Sequence, residues 1–322
     1  MIKYTSLFLT ALMLILCLSC CGSGISSVSR LNIVTTVFPV YDWVRNILGE
    51  NKAGAEVSML LDSGVDLHSF QPSAEDIMKI SVCDLFIYIG GVSESWVNDA
   101  LKQATNKNIR VLNLLDILGD SANEEEITEG MHEHHHEDEH DENAEYDEHI
   151  WLSLRNAEVF VEAISSALVD IDPENAEIYK ANTEAYASEL RGLDEKYVKA
   201  VSQSGTKTLI FADRFPFRYL FEDYGLEYYA AFAGCSAETE ATFETVIFLS
   251  GKIDELSLGA VITTDGSDCK LALSVIENTK SKDQKILTLD SLQSITAKDI
   301  ENGAEYLSIM EDNLEMLKAA LN

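Results

Sequence analysis

Apolar positions along the chain fall into short runs separated by helix-periodic stretches, and the pattern occurs twice. In the first half, the runs predict strands at Leu31–Val37, Glu56–Leu61, Asp84–Ile89 and Arg110–Leu114. Between them the spacing predicts helices over Tyr41–Leu48, which Gly49 ends, over Ser73–Ile80 with Ser73 as the N-cap, and over Ser93–Ala104. The second half repeats the alternation, with strands at Thr208–Ala212, Glu227–Phe232, Leu258–Thr263 and Lys285–Leu289. Its helices are expected near Phe217–Tyr224, Thr242–Leu256, Asp268–Asn278 and Gly303–Leu321. Short strands alternating with helices imply parallel sheets.

Helical periodicity also fills the middle of the chain. From Asn156, residues Val159, Phe160, Ala163, Ile164, Ala167 and Leu168 line one face. Pro173, with Asp172 as cap, opens a second helix that meets no breaker until Ser204-Gly205, on the order of 45 Å of helix at 1.5 Å per residue. The expected fold is therefore α/β: two similar βα lobes joined by a long rigid helix, with a ligand in the cleft between them. The expected domains are a signal segment (1–21), a tether (22–30), an N-terminal lobe (31–172) carrying an acidic loop (122–149), a linking helix (173–204) and a C-terminal lobe (205–322).

The N-terminus changes where this fold should sit. After Lys3, the run Leu7–Leu18 is apolar but shorter than the ~20 residues that span a bilayer. Its exit, Leu18-Ser19-Cys20-Cys21-Gly22, resembles a bacterial lipobox, with Cys21 as the acylated residue and Cys20 as the alternative. The expected location is extracytoplasmic, lipid-anchored to the outer face of the cytoplasmic membrane. A net charge of −32 argues against nucleic-acid binding and suits a protein that attracts cations. Beyond the signal segment only Cys83, Cys235 and Cys269 remain. An odd count excludes a full disulfide framework but leaves a Cys235–Cys269 bridge open.

The histidines carry the sharpest chemical signal. All seven lie between positions 68 and 149. His132, His134, His135, His136 and His140 crowd the acidic loop, which has too little apolar content to pack and reads as an auxiliary metal collector. The loop contains two HExxH matches, starting at His132 and His136, but no apolar face to hold the packed helix that a metalloprotease needs. His68 follows a predicted strand, where open α/β sheets place ligands, and His149 stands where apolar residues resume.

These residues resemble the zinc/manganese solute-binding lipoproteins of bacterial ABC importers, over essentially the whole chain after the signal. Gly64, His68, Phe70, Pro72 and Asp76 match the family's first ligand pattern; Asp147, His149, Trp151, Leu152 and Ser153 match its second. The resemblance implies a metal held between the lobes. At the family's third ligand position, in a register fixed by Phe217, Tyr219 and Tyr224-Gly225-Leu226, stands Arg214. A guanidinium cannot coordinate a cation, so Arg214 is expected to pair with an acidic neighbour.

The expected metal ligands are then His68, His149, Asp265 and Glu240, with Asp213, Glu238, Asp268, Cys235 and Cys269 as alternatives from the second lobe. The expected cargo is Zn²⁺, with Mn²⁺ or Fe²⁺ as alternatives. Its affinity should fall below about pH 6 as imidazoles protonate. The expected partners are a membrane permease and its ATPase, the protein itself being a monomer and not an enzyme. The competing readings are a zinc-dependent surface adhesin and, further off, a zinc hydrolase.

Overall fold

The computed structural model describes residues 30–49, 54–131, 146–236 and 241–322. In the first lobe, strands β1 (Asn32–Thr35), β2 (Glu56–Met59), β3 (Leu85–Tyr88) and β4 (Arg110–Asn113) pair in parallel in the order β2-β1-β3-β4. Helices α1 (Phe38–Leu48), α2 (Ala74–Val82) and α3 (Val97–Gln103) connect them, and α4 (Leu114–Leu118) follows β4. β1 is shorter than its apolar run because Pro39 in the first turn starts α1 at Phe38. Ser73 caps α2 in a reciprocal capping box with Asp76.

Two long helices follow, α5 (Leu154–Ile171) and α6 (Ala176–Ser202). Pro173–Asn175 forms a 3₁₀ turn before α6 instead of its first turn, and the Asp172 carboxylate accepts from Asn175 Nδ2 (2.7 Å) and Tyr179 Oη (2.5 Å). The second lobe has β5 (Thr208–Phe215), β6 (Glu227–Ala233), β7 (Ala260–Thr264) and β8 (Lys285–Leu289) in the order β6-β5-β7-β8, again parallel. Its helices are α7 (Arg218–Tyr224), α8 (Phe243–Leu256), α9 (Lys270–Glu277), α10 (Ala297–Glu301) and α11 (Tyr306–Leu321). α9 starts two residues later than the periodicity predicts because Cys269 takes a left-handed conformation, φ 59°. The two sheets share one strand order, so the fold is two similar parallel α/β lobes.

One hydrophobic core runs through both lobes, with Trp43, Trp151, Tyr179, Tyr197 and Tyr306 fully buried in it. Each such side chain contributes roughly 1.5–3 kcal/mol or more of burial free energy. α6 is bonded at both ends: Asn182 Nδ2 donates to Ile47 O of α1 (2.9 Å), and Tyr197 Oη to Met310 O of α11 (2.6 Å). Trp151 Nε1 donates to Ser291 O (2.9 Å), and Tyr306 Oη returns a bond to Trp151 O (2.7 Å). A second cluster, including Ile210, Leu249, Ile253 and Val275, fills the space between the second sheet and α8 and α9. Cys83, Cys235 and Cys269 are free thiols, so no Cys235–Cys269 bridge forms. Among the described residues, no helix is long and apolar enough to cross a membrane.

Asp42 of α1 ties three helices together. Its Oδ2 accepts from Tyr306 N (3.2 Å), Asn46 Nδ2 (3.1 Å) and Tyr186 Oη (3.4 Å). Burial raises its pKa from 3.8 to about 6, outweighing the bond from Tyr306. The folded state therefore keeps a proton that the unfolded chain loses near pH 4. That contribution is complete below pH ~4 and disappears as pH rises through about 6. Relative to Asp42→Asn, the parent should lose on the order of 2–3 kcal/mol of stability between pH 4 and pH 7. Urea denaturation of both proteins across that range measures the difference, and parallel pH profiles would contradict it.

Candidate metal centre

The side chains with metal-binding chemistry gather where the strand ends of the two lobes face each other. His68 sits in a 3₁₀ turn, Leu67–Ser69, after β2. Asp66 caps the turn by accepting from His68 N through Oδ1 (2.9 Å). Its other oxygen accepts from Arg214 Nη1 at the end of β5 (2.8 Å), so the turn is bonded across the cleft. Neighbouring backbone meets the second lobe as well, with Ala297 N donating to Asp62 O (2.8 Å). His68 Nδ1 lies 2.8 Å from Ser93 Oγ and 3.3 Å from Glu148 Oε2. Glu148 fits there because Gly91 has no Cβ; one would overlap the carboxylate. Glu148 Oε1 also accepts from Ser93 N (2.8 Å).

His149 is held by the two ends of the acidic loop. Glu124 and Tyr146 form an antiparallel bridge, and Asp147 N donates to Asn123 O (2.8 Å). Tyr219 of α7 pins the pair from the second lobe: its hydroxyl donates to Asp147 O (3.0 Å) and accepts from Asn123 N (2.9 Å). His149 is fully buried, and both its backbone N and its Nδ1 lie 2.8 Å from Asp147 Oδ1. Asp147 at Nδ1 of His149 holds the proton there and leaves the lone pair on Nε2, while Ser93 Oγ and the Glu148 carboxylate face Nδ1 of His68. The two Nε2 atoms face each other at 3.3 Å.

Two lone pairs at this distance repel unless a proton or a cation lies between them. Burial lowers the pKa of His149, but the charge of Asp147 and its bond to Nδ1, with Glu125 and Asp66 behind, outweigh it, so the ring titrates above its usual 6.5. Glu148 moves the other way: burial raises it, but the bonds from His68 and Ser93 hold its carboxyl below the usual range.

Cys235 follows β6 and completes the group. Among the described residues, the clusters whose ligand atoms lie within 4.8 Å of one another are His68–His149–Cys235 and Glu125–Asp147–Cys235. Glu125 Oε1 accepts from Cys235 N (3.2 Å). The turn reaches the imidazole because residue 234 is glycine; a Cβ there would lie 2.8 Å from Phe215 O and 3.2 Å from His149 Cε1. Burial, together with Glu125 and Asp147, raises the Cys235 pKa, so its thiol stays protonated in the absence of metal.

The structure thus brings His68, His149 and Cys235 together, and it does not bring Asp265 to them. Asp265 Oδ1 accepts from Ser291 N (2.7 Å) and its Oδ2 bonds Ser294 Oγ. It lines a separate cleft of about 560 Å³ with Asp66, Asp213 and Arg214, whereas His68, Ser93, Glu148, Glu125 and Cys235 line one of about 710 Å³. Asp213 bonds its neighbour's backbone, accepting from Arg214 N (2.9 Å) and Thr264 N (3.2 Å). Asp268 is exposed and pairs with Lys270, and Cys269 precedes α9 and lies in neither cluster. Glu238, Glu240, His132, His134, His135, His136, His140, Cys20 and Cys21 lie outside the described residues. Ser93, Glu125 and Glu148 were missed as supports. Glu148 stood beside His149 in the motif, but nothing in the acidic run singled out Glu125.

Two parallel α/β lobes with a shared core and facing strand ends define the two-lobed α/β solute-binding fold. The chain belongs to the family described as zinc-uptake complex component A, periplasmic, whose model matches residues 33–320. It is 32% identical over 319 residues to the zinc-binding lipoprotein AdcA of Streptococcus pneumoniae, covering 98% of this chain and 60% of that one. It is 28% identical over 327 residues to the high-affinity zinc uptake system protein ZnuA of Bacillus subtilis, covering 99% and 98%. The Zn(II)-bound ZnuA-like domain of S. pneumoniae AdcA superposes with a TM-score of 0.71 at 28% identity, over 91% of this chain and 99% of that domain. The chain spans 56–60% of the length of the AdcA relatives it matches.

The raised pKa of His149 depends on Asp147. In Asp147→Asn the desolvation of the buried ring is left opposed only by more distant charges, and the ring should titrate at lower pH than in the parent. Histidine-ring NMR of the metal-free proteins reads the change directly. An unchanged or higher pKa would contradict the arrangement.

Proposed function

We propose that this protein is the extracytoplasmic zinc-binding component of an ABC importer, lipid-anchored through Cys21, that holds the ion at His68 and His149 and delivers it to a permease driven by an ATPase. The observation that carries the reading is the 3.3 Å separation of the two Nε2 atoms. Zinc–nitrogen bonds of about 2.0–2.1 Å meeting at a tetrahedral angle put two nitrogens roughly 3.3–3.4 Å apart. The protein therefore holds the edge of a zinc coordination sphere in place before the ion arrives. The carboxylate behind each ring supports this reading, since such outer groups fix the ligating tautomer and strengthen the donor. The names of the relatives, zinc-binding for AdcA and zinc uptake for ZnuA, agree with it. The imidazole and carboxylate donors of the His-rich acidic run suit capture, with His132 to His140 raising the local ion concentration ahead of the tight site.

Zinc competition against a chromophoric chelator tests the assignment. His68→Ala and His149→Ala should each weaken zinc binding by at least about 100-fold, beyond the 10–100-fold typical of outer-group loss. Deleting residues 132–140 should leave the tight site within about threefold. Unchanged tight binding in both histidine variants would overturn the site.

Protons compete with the ion at His149, whose folded pKa lies above 6.5. Affinity should therefore be level at high pH and begin to fall at a higher pH than an ordinary histidine would give. The loss approaches about tenfold per pH unit for each proton displaced. Calorimetric titration from pH 5.5 to pH 8.5 reads the profile, and a pH-independent affinity would count against imidazole ligation.

A further inference from the structure

We infer that Cys235 is the third zinc ligand, so that the site is a His₂Cys centre in which a thiolate stands in for the imidazole that Arg214 displaces. This rests on the zinc-binding reading and adds to it the donor type and the resulting metal preference. Three observations support the inference. First, the Cys235 sulfur lies within 4.8 Å of the ligand nitrogens of both His68 and His149. Zinc–sulfur bonds of ~2.3 Å and zinc–nitrogen bonds of ~2.0–2.1 Å require nitrogen–sulfur edges of roughly 3.5 Å, so an inward movement of the turn by about an ångström closes the site.

Second, the position of the turn is built. Glu125 Oε1 holds Cys235 N at 3.2 Å, and the missing side chain of Gly234 lets the backbone lie against His149. Glu125 Oε2 is buried without a hydrogen-bond partner among the described residues, which leaves a carboxylate oxygen beside the thiol. Third, Arg214 is engaged elsewhere. Its guanidinium, which has no lone pair to offer a metal, bonds Asp66 at 2.8 Å, and the second-lobe donor that lies beside the histidines is Cys235, just past the end of β6.

On binding, the zinc–sulfur bond forms as the S–H bond breaks, and the proton leaves to solvent or to a nearby carboxylate. A thiolate donor makes the site softer than one built from imidazole and carboxylate alone, which favours zinc over manganese.

Cobalt(II), which takes zinc sites and reports its ligands optically, is the probe. The purified protein loaded with one equivalent of cobalt should show a thiolate-to-metal charge-transfer band in the near ultraviolet together with tetrahedral visible bands. Cys235→Ser and Cys235→Ala should lose the charge-transfer band and bind zinc at least about 100-fold more weakly, beyond the loss typical of an outer group, with unchanged circular dichroism. Cys269→Ser should keep the band. Their manganese affinity should change far less than their zinc affinity. Stoichiometric cobalt binding with visible bands but no charge-transfer band would overturn the cysteine ligand while leaving zinc capture by the histidines intact. A parent protein that binds neither cobalt nor zinc tightly would overturn the functional reading itself.

Discussion

Two imidazole lone pairs held face to face in a buried position form an unstable arrangement unless something positive sits between them. Everything around His68 and His149 maintains that opposition. Asp147 lies 2.8 Å behind one ring, while Ser93 and Glu148 lie behind the other, so each ring presents Nε2 to its partner. In water the rings would rotate apart and each nitrogen would find a solvent donor. Here Asp66 fixes the turn that carries His68, and paired backbone at the ends of the acidic loop fixes His149. If the pair holds zinc as proposed, the free energy of folding prepares one edge of its coordination sphere, and the surrounding carboxylates offset the charge of the incoming cation.

That preparation requires lobes that stay in register, because the two halves of the site come from different parts of the chain. The shared core and the bonds at both ends of α6 supply this constraint. Trp151 connects it to the site: two residues from His149, fully buried, it bonds the backbone at Ser291, and Tyr306 bonds Trp151 in turn. Within the cleft, the Asp66–Arg214 ion pair joins the His68 turn to the end of β5. Partial exposure limits its direct worth, but its partner atoms fix where the His68 turn lies.

Much of the fold was legible because the strands are short apolar runs set between helical periods, a pattern that survives without tertiary information. The boundaries that moved did so for local reasons, such as Pro39 starting α1 early and Cys269 taking a left-handed conformation that delays α9. His68 and His149 could be picked out because each stands in a dense local motif. The second-lobe residue that lies beside the histidines was harder to read. Asp265 follows β7 where a ligand is plausible by position, yet its carboxylate is consumed by Ser291 and Ser294 in the next loop, a pairing that sequence spacing does not reveal. Cys235 gave a weaker signal alone, and its approach to the histidines depends on Gly234 and on Glu125, more than 100 residues earlier in the chain.

The proposed function rests on a single zinc ion bridging the facing Nε2 atoms. Anomalous diffraction above and below the zinc edge, from crystals of the zinc-loaded protein, tests it most directly. One dominant anomalous peak is expected in the cleft, about 2.0–2.1 Å from Nε2 of both His68 and His149. A zinc-loaded crystal whose dominant peak lies away from either imidazole, or beside only one of them, would contradict it.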